Sequence, residues 1–178
     1  MNNNIEIIKD INENNCVLIK KPCFKGRQKE EWHIIEDYLK KYIGQCFEIE
    51  ENSEKVFIST DFPDEFANSE SRIKLKGAAA RAKANSSLAI PEMIQIAENR
   101  SFERNRKDKH KKDAEFGWYR YTTRFAIPVY DNDWKIARFN IYMAELLVRH
   151  ANDDKKYLYD IVGIKKETSS PLWSTTVR

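Results

Sequence analysis

Cysteine and histidine are scarce in this sequence, and long apolar runs are missing from it. The three cysteines, Cys16, Cys23 and Cys46, are odd in number and lack metal-ligand spacing. That argues against a disulfide framework and for reduced thiols in a cytosol. The three histidines, His33, His110 and His150, all lie away from any cysteine cluster, which argues against a zinc site. Neither a metal nor another cofactor is expected. No apolar run approaches the roughly 18 residues that a membrane span needs, so no membrane partner is expected. Met1-Asn2-Asn3-Asn4 is polar and no apolar stretch follows it. The expectation is therefore a cytoplasmic chain without a signal peptide. Internal repeats and low-complexity tracts are also lacking.

What is present is a globular composition with a dense charge. The chain has 178 residues, which fits one domain or one and a half. Its apolar fraction of 41% is ordinary for a packed core, while 33% charged residues exceeds the usual quarter. The net charge is only +3, so the chain as a whole is not a polycation. The charge is unevenly spread. In segment 45–70, Glu48, Glu50, Glu51, Glu54, Asp61, Asp64, Glu65 and Glu70 face Lys55 alone. Segment 100–112 reverses this, with Arg100, Arg104, Arg106, Lys107, Lys109, Lys111 and Lys112 against Glu103 and Asp108. A localised basic patch suits a polyanionic ligand.

The pattern predicts short strands over 5–8 and 16–20, joined by a turn at 12–15. A helix is expected over 28–43, where Trp32, Ile35, Leu39 and Tyr42 recur at helical spacing and Gly44 stops it. A hairpin follows over 45–60, then a loop at 61–66. A second helix spans about 71–85, small-residued and carrying a basic stripe of Arg72, Lys74, Lys76, Arg81 and Lys83. A third runs from Pro91 to near Asn99. Three strands close the chain, at 118–129, 135–150 and 156–167, with turns at 131–133 and 152–154. Together these predict an α+β fold in which an antiparallel meander packs on helices.

Period-two alternation sorts the strand faces. The first strand sets Tyr121, Phe125 and Ile127 against Arg120, Thr122 and Arg124. The middle strand sets Phe139, Ile141, Met143 and Leu147 against Arg138, Asn140 and Tyr142. The last sets Leu158, Val162 and Ile164 against Tyr157, Tyr159 and Lys165. The sheet is thus expected to offer one apolar face to the helices and one open face of arginine, tyrosine and lysine. Such a face suits RNA, since cations neutralise phosphates and rings stack on unpaired bases. A protein interface enriches the same residue types.

RNA is cut without a metal when its 2′-OH attacks the adjacent phosphate. The protein then supplies a base, an acid and a cation for the transition state. His110 is the leading acid–base candidate, because histidine titrates near neutrality and the flanking lysines favour its neutral form. Arg124 and Lys165 are candidates for stabilising the phosphate, and Tyr159 or Thr168 for donating a proton or hydrogen bond. Contacts to RNA are expected from Lys76, Arg81, Arg104, Arg106, Lys107, Lys111, Arg120 and Tyr142. Blander readings stand beside these. A histidine in a lysine-rich loop is often a solvated bystander, His150 at a strand end reads as structural, and His33 inside a helix reads as inert. Turn chemistry explains Asp131/Asp133 and Asp153/Asp154 more cheaply than a metal.

Four blocks carry a family resemblance: KLKGAAARAKA at 74–84, IPEMIQIA at 90–97, KHKKDAEFGWYRYTTRFAIPVYD at 109–131 and LLVRHANDDKKYLYDIVGIKKETSSP at 146–171. In this order they resemble a domain of large polyvalent phage and mobile-element proteins, within the barnase–EndoU–colicin–RelE-like nuclease group. The resemblance implies a curved antiparallel sheet on helices and metal-independent RNA cleavage. It places His110, Tyr121, Arg149, Tyr159, Lys165, Lys166, Glu167 and Thr168 at characteristic positions, and so implies Tyr121, Arg149 and Lys166 as further contacts to RNA. The pattern's glycines near Trp134 and Lys155 are absent, which bears on turn shape more than chemistry. The implied division is a nuclease-like domain over 57–178 with a small α/β extension over 1–56. A free-standing chain with such a front end is similar to Cas9-inhibiting anti-CRISPR proteins of mobile elements. That similarity implies Cas9 and its guide RNA as partners, with docking by the front and truncation of the guide by the back. A catalytically inactive binder that blocks Cas9 sterically and a free toxin-type ribonuclease are the alternatives.

Overall fold

The computed structural model describes residues 4–106 and 114–170, the last three as backbone alone. His110, Lys107 and Lys111 therefore lie outside the described residues. The chain is α+β, as its pattern predicts. Strands β1 (Ile5–Lys9) and β2 (Asn15–Ile19) form the first hairpin. Its turn is set by Asp10, whose Oδ1 accepts from the backbone N–H of Asn12 and Asn14 at 2.8 and 2.9 Å. Helix α1 (Lys29–Leu39) buries Trp32, Ile35 and Leu39, the residues at helical spacing. Strands β3 (Cys46–Glu48) and β4 (Lys55–Phe57) make the second hairpin.

Residues 62–66 are helical, not loop, and Asp61 is the N-cap of the helix. Helix α2 (Phe62–Asn68) starts with Pro63 in its first turn, where a missing N–H costs nothing. Phe62 and Phe66, one turn apart, drop into the core. The helix expected over 71–85 is two helices, α3 (Glu70–Lys74) and α4 (Gly77–Ser86), separated where Lys76 is extended and Gly77 takes φ +57. Helix α5 (Ile90–Gln95) ends earlier than expected, and β5 (Glu98–Glu103) takes up the start of the basic stretch. The long strands β6 (Trp118–Tyr130), β7 (Ile136–His150) and β8 (Lys156–Ser170) follow.

The sheet order is β1-β2-β6-β7-β8-β4-β3, with β5 paired to β6. The predicted meander β6-β7-β8 is its centre. The sheet is mixed, however, not antiparallel throughout: β2 runs parallel to β6 and β4 parallel to β8. Parallel neighbours need a long crossover, and the helical segments between these strands supply it. Both hairpins within residues 1–57 flank the meander, one on each side. One edge of β6 is shared, with β2 on residues 125–126 and β5 on 118–122.

Strand phase brings a second correction. In β7 the residues facing the main core are Tyr142, Ala144, Leu146 and Val148. Phe139 and Ile141 instead join Ile8, Cys16, Leu18 and Ala126 in a smaller cluster. Apolar residues occur on both sides of β7, so alternation alone does not choose. Register with β6 does, pairing Tyr142 with Phe125 and Leu146 with Tyr121. In β8, bulges opposite β7 shift the phase, so Leu158 and Ile161 both reach the core.

The basic helix stripe is partly consumed inside the fold. The Arg72 guanidinium lies 4.3 Å from the Trp32 ring. Lys83 is buried, with Nζ 2.9 Å from Oδ1 of Asp160, both side chains 2% exposed. Burial pushes the Asp160 carboxyl up and the Lys83 amine down, and each charge works against the other's shift.

Candidate nucleic-acid interface

Arg124, Met143 and Lys165 form one row across β6, β7 and β8. Directly opposed residues share a face, so Arg124 and Lys165 do lie on one side of the sheet. The arginines there are already countered. Arg124 meets Glu167 at 3.1 Å and Glu98 at 3.3 Å. Arg120 meets Glu145 at 3.0 Å and Glu103 at 3.6 Å. Lys165 and Lys166 are exposed, and the Thr168 backbone pairs with Ile141. Tyr159 lies six residues from Lys165 along β8, roughly 20 Å away at about 3.3 Å per residue. Its ring meets Trp118 edge-on at 5.2 Å. Burial, then the nearby Glu65, pushes its hydroxyl above the ordinary tyrosine value, making it a poorer proton donor at neutral pH. The described catalytic candidates therefore do not meet at one point.

Two tyrosines assigned to RNA have their rings in the core, where no base can stack on them. Tyr142 is 3% exposed and its ring stacks on Phe125 at 5.4 Å. Tyr121 faces the core, and its hydroxyl donates to Glu54. Arg149 is buried too. Its guanidinium donates to Ser59 Oγ at 3.0 Å, pairs with Asp61 at 3.3 Å and lies 4.5 Å from the Tyr157 ring. These groups line an open cleft of about 410 Å³ with Thr60 and Asp153. Of the other assigned cations, Lys76, Arg104 and Arg106 are exposed and Arg81 is half-buried.

A different arrangement stands at the end of the sheet where β5 meets β6. Four rings run in tilted contact, with centroids 5.3 Å apart from Phe102 to Tyr119, 5.9 Å from Tyr119 to His150 and 5.0 Å from His150 to Phe116. Register builds this ladder, since Phe102 pairs directly with Tyr119 across β5 and β6. Gly117 permits it. Its φ is +104, and a Cβ there would lie 2.6 Å from the Phe102 ring. Backbone bonds from Phe116 to His150 and from His150 to Gly117 tie the far end down. His150 Nε2 sits 2.8 Å from Asp154. Phe102 and Phe116 are 58% and 45% exposed, which is unusual for rings that could bury. The cations of Arg100 and Lys156 lie 5.0 and 5.4 Å from the Tyr119 ring centre.

Both cations converge on Glu54, at 2.8 Å from Arg100 and 3.0 Å from Lys156. Burial alone would push this carboxyl up. The hydrogen bonds from Tyr121, Lys156 and Arg100 outweigh burial and hold it below the ordinary carboxylate value. Two carboxylates of the acidic stretch 45–70 thus serve as internal counter-charge, Glu54 for Arg100 and Lys156 and Asp61 for Arg149. Sequence reasoning missed Phe102, Phe116, Tyr119 and Glu54 and gave His150 a structural role. The available signal was the pair of aromatics flanking the basic run.

Among the described residues, no group of three or more histidine, cysteine, aspartate or glutamate side chains is placed to hold a metal ion. No helix among them is long and apolar enough to cross a membrane. Comparison of the chain with protein-family models, curated proteins and solved structures finds no match.

Proposed function

We propose that this protein engages RNA and acts as an anti-CRISPR inhibitor of a type II Cas9, truncating the guide RNA without a metal. Support for RNA comes from one observation, the ladder of rings at the end of the sheet, exposed at Phe102 and Phe116, half-buried at Tyr119 and His150 and flanked by cations. Rings of this kind stack on unpaired bases whatever their sequence, and the cations answer the backbone phosphates. Support for cleavage comes from the resemblance of four ordered blocks to the nuclease group, and support for the Cas9 target from the similarity of a chain with this front end to Cas9-inhibiting anti-CRISPR proteins. In that scheme His110 takes the 2′-OH proton, Arg124 and Lys165 face the phosphate, and Thr168 donates to the leaving oxygen, while Tyr159, about 20 Å from Lys165, takes no part at that phosphate. Shortening the guide removes base pairs on which target cleavage depends.

A steric binder of Cas9 or its guide is the second reading. It is favoured by the double carboxylate pairing of Arg120 and Arg124, and by the separation of Tyr159 from Lys165. A denaturing gel of guide RNA incubated in EDTA, with and without Cas9, decides between them. Truncation predicts a discrete shortened RNA that appears only with Cas9 and disappears with His110→Ala. Intact RNA in every lane, together with blocked DNA cleavage in magnesium, would make the protein a binder. RNA degraded without Cas9 would mark a free ribonuclease.

A further inference from the structure

We propose that Arg100, Lys156 and Tyr121 form a phosphate subsite for single-stranded RNA beside the Tyr119 ring, and that Glu54 occupies it in the unliganded protein. The inference rests on the RNA reading above and adds a site to it. Three donors from three strands aim at one carboxylate. Arg100 comes from β5, Tyr121 from β6 and Lys156 from β8. Arg100 and Lys156 both reach Oε2 of Glu54, while the Tyr121 hydroxyl and Asn52 Nδ2 reach Oε1. A carboxylate and a phosphodiester each present two oxygens that share one negative charge, so donors arranged for one suit the other.

The base next to that phosphate has a surface ready for it. Tyr119 lies within about 5 Å of both cations and continues into exposed Phe102 on one side and His150 on the other. Glu54 is carried on the turn between β3 and β4, and its side chain is 16% exposed. Rotation of that side chain out of the cluster opens the three donors without moving the sheet. Glu54 thus acts as a placeholder that nucleic acid must displace, and its carboxylate raises the threshold for binding.

Fluorescence anisotropy of the full chain with a labelled oligouridylate about twelve nucleotides long tests this. Glu54→Gln keeps the shape and neutral hydrogen bonding but removes the competing charge. It is expected to tighten binding about tenfold and to steepen the salt dependence by roughly one phosphate contact. Tyr119→Ala and Arg100→Ala are expected to weaken binding about tenfold. Glu70→Gln, which changes the same charge at an exposed site on α3, should change affinity less than about twofold. Circular dichroism and thermal melts confirm that each variant folds. An equal gain from Glu70→Gln would reduce the effect to net charge and overturn the subsite. So would a folded Glu54→Gln protein that binds no tighter than the parent. If neither the parent nor Glu54→Gln bound RNA at low salt, the RNA reading would fall, and the subsite with it. RNA binding that ignores all three subsite variants would sink the subsite alone.

Discussion

Replacing Lys83 with methionine is expected to destabilise the protein by about 3–5 kcal/mol, because a buried carboxylate is left without its cation. Lys83 and Asp160 are both 2% exposed and 2.9 Å apart. Asp160 keeps one further donor, the Ile161 backbone N–H at 2.7 Å, which does not neutralise a charge. For a chain of this length the melting temperature should fall by roughly 6–20 °C. The deficit should depend on pH. Burial already holds the Asp160 pKa above its ordinary 3.8, and losing Lys83 raises it further. A folded state that binds its proton more tightly than the unfolded chain loses stability as pH rises through that window. The Lys83→Met penalty should therefore be smallest in acid and grow toward neutrality. The double replacement Lys83→Met with Asp160→Leu should recover most of the loss, since it removes both charges. Urea melts at several pH values measure all of this. A single variant within about 1 kcal/mol of the parent, in the range typical of exposed pairs, would contradict it.

Phe66→Ala should cost about 3–5 kcal/mol, the usual loss for a large aromatic deleted from a packed core. Phe66 is fully buried, 5.6 Å from the Phe62 ring and 6.5 Å from Trp32. Its ring also lies 4.8 Å from Lys83 Nζ, so it helps hold the buried amine. The two sites touch. Combining Phe66→Ala with Lys83→Met should therefore give less than the sum of the separate losses. Strict additivity in denaturant melts would mean that the ring does not support the ion pair.

Both predictions concern a region that local pattern misreads. Pro63 reads as a loop marker in the sequence, yet in α2 it occupies the one stretch of a helix that tolerates it. Lys83 reads as part of a solvated stripe, and its partner Asp160 is 77 positions away. Local features were legible. Trp32, Ile35 and Leu39 announce α1, and the turn formers at 131–133 and 152–154 separate β6, β7 and β8. Non-local pairing was not. Nothing within β7 shows that Tyr142 rather than Ile141 faces the main core, because only the register with Phe125 decides it. The parallel joins of β2 to β6 and β4 to β8 cross more than 90 positions each.

The candidate site divides in the same way. Arginine and tyrosine alternation correctly placed Arg124 and Lys165 on one face. It did not show that Glu98 and Glu167 come from elsewhere to neutralise Arg124, or that Tyr121 turns inward to Glu54. The ring ladder depends on β5, a strand hidden in a run whose charge dominates its pattern. Phe102 faces Tyr119 only through strand pairing, and Gly117 leaves room for the contact.

Nuclear magnetic resonance of the aromatic side chains during titration with oligouridylate tests most directly where RNA lies. RNA on the ring ladder predicts saturable shifts at Phe102, Phe116, Tyr119 and His150, with the buried rings of Phe66 and Tyr142 unmoved. Shifts confined to the Arg124–Lys165 row, or no shifts at low salt, would contradict the assignment of the ladder as the RNA interface.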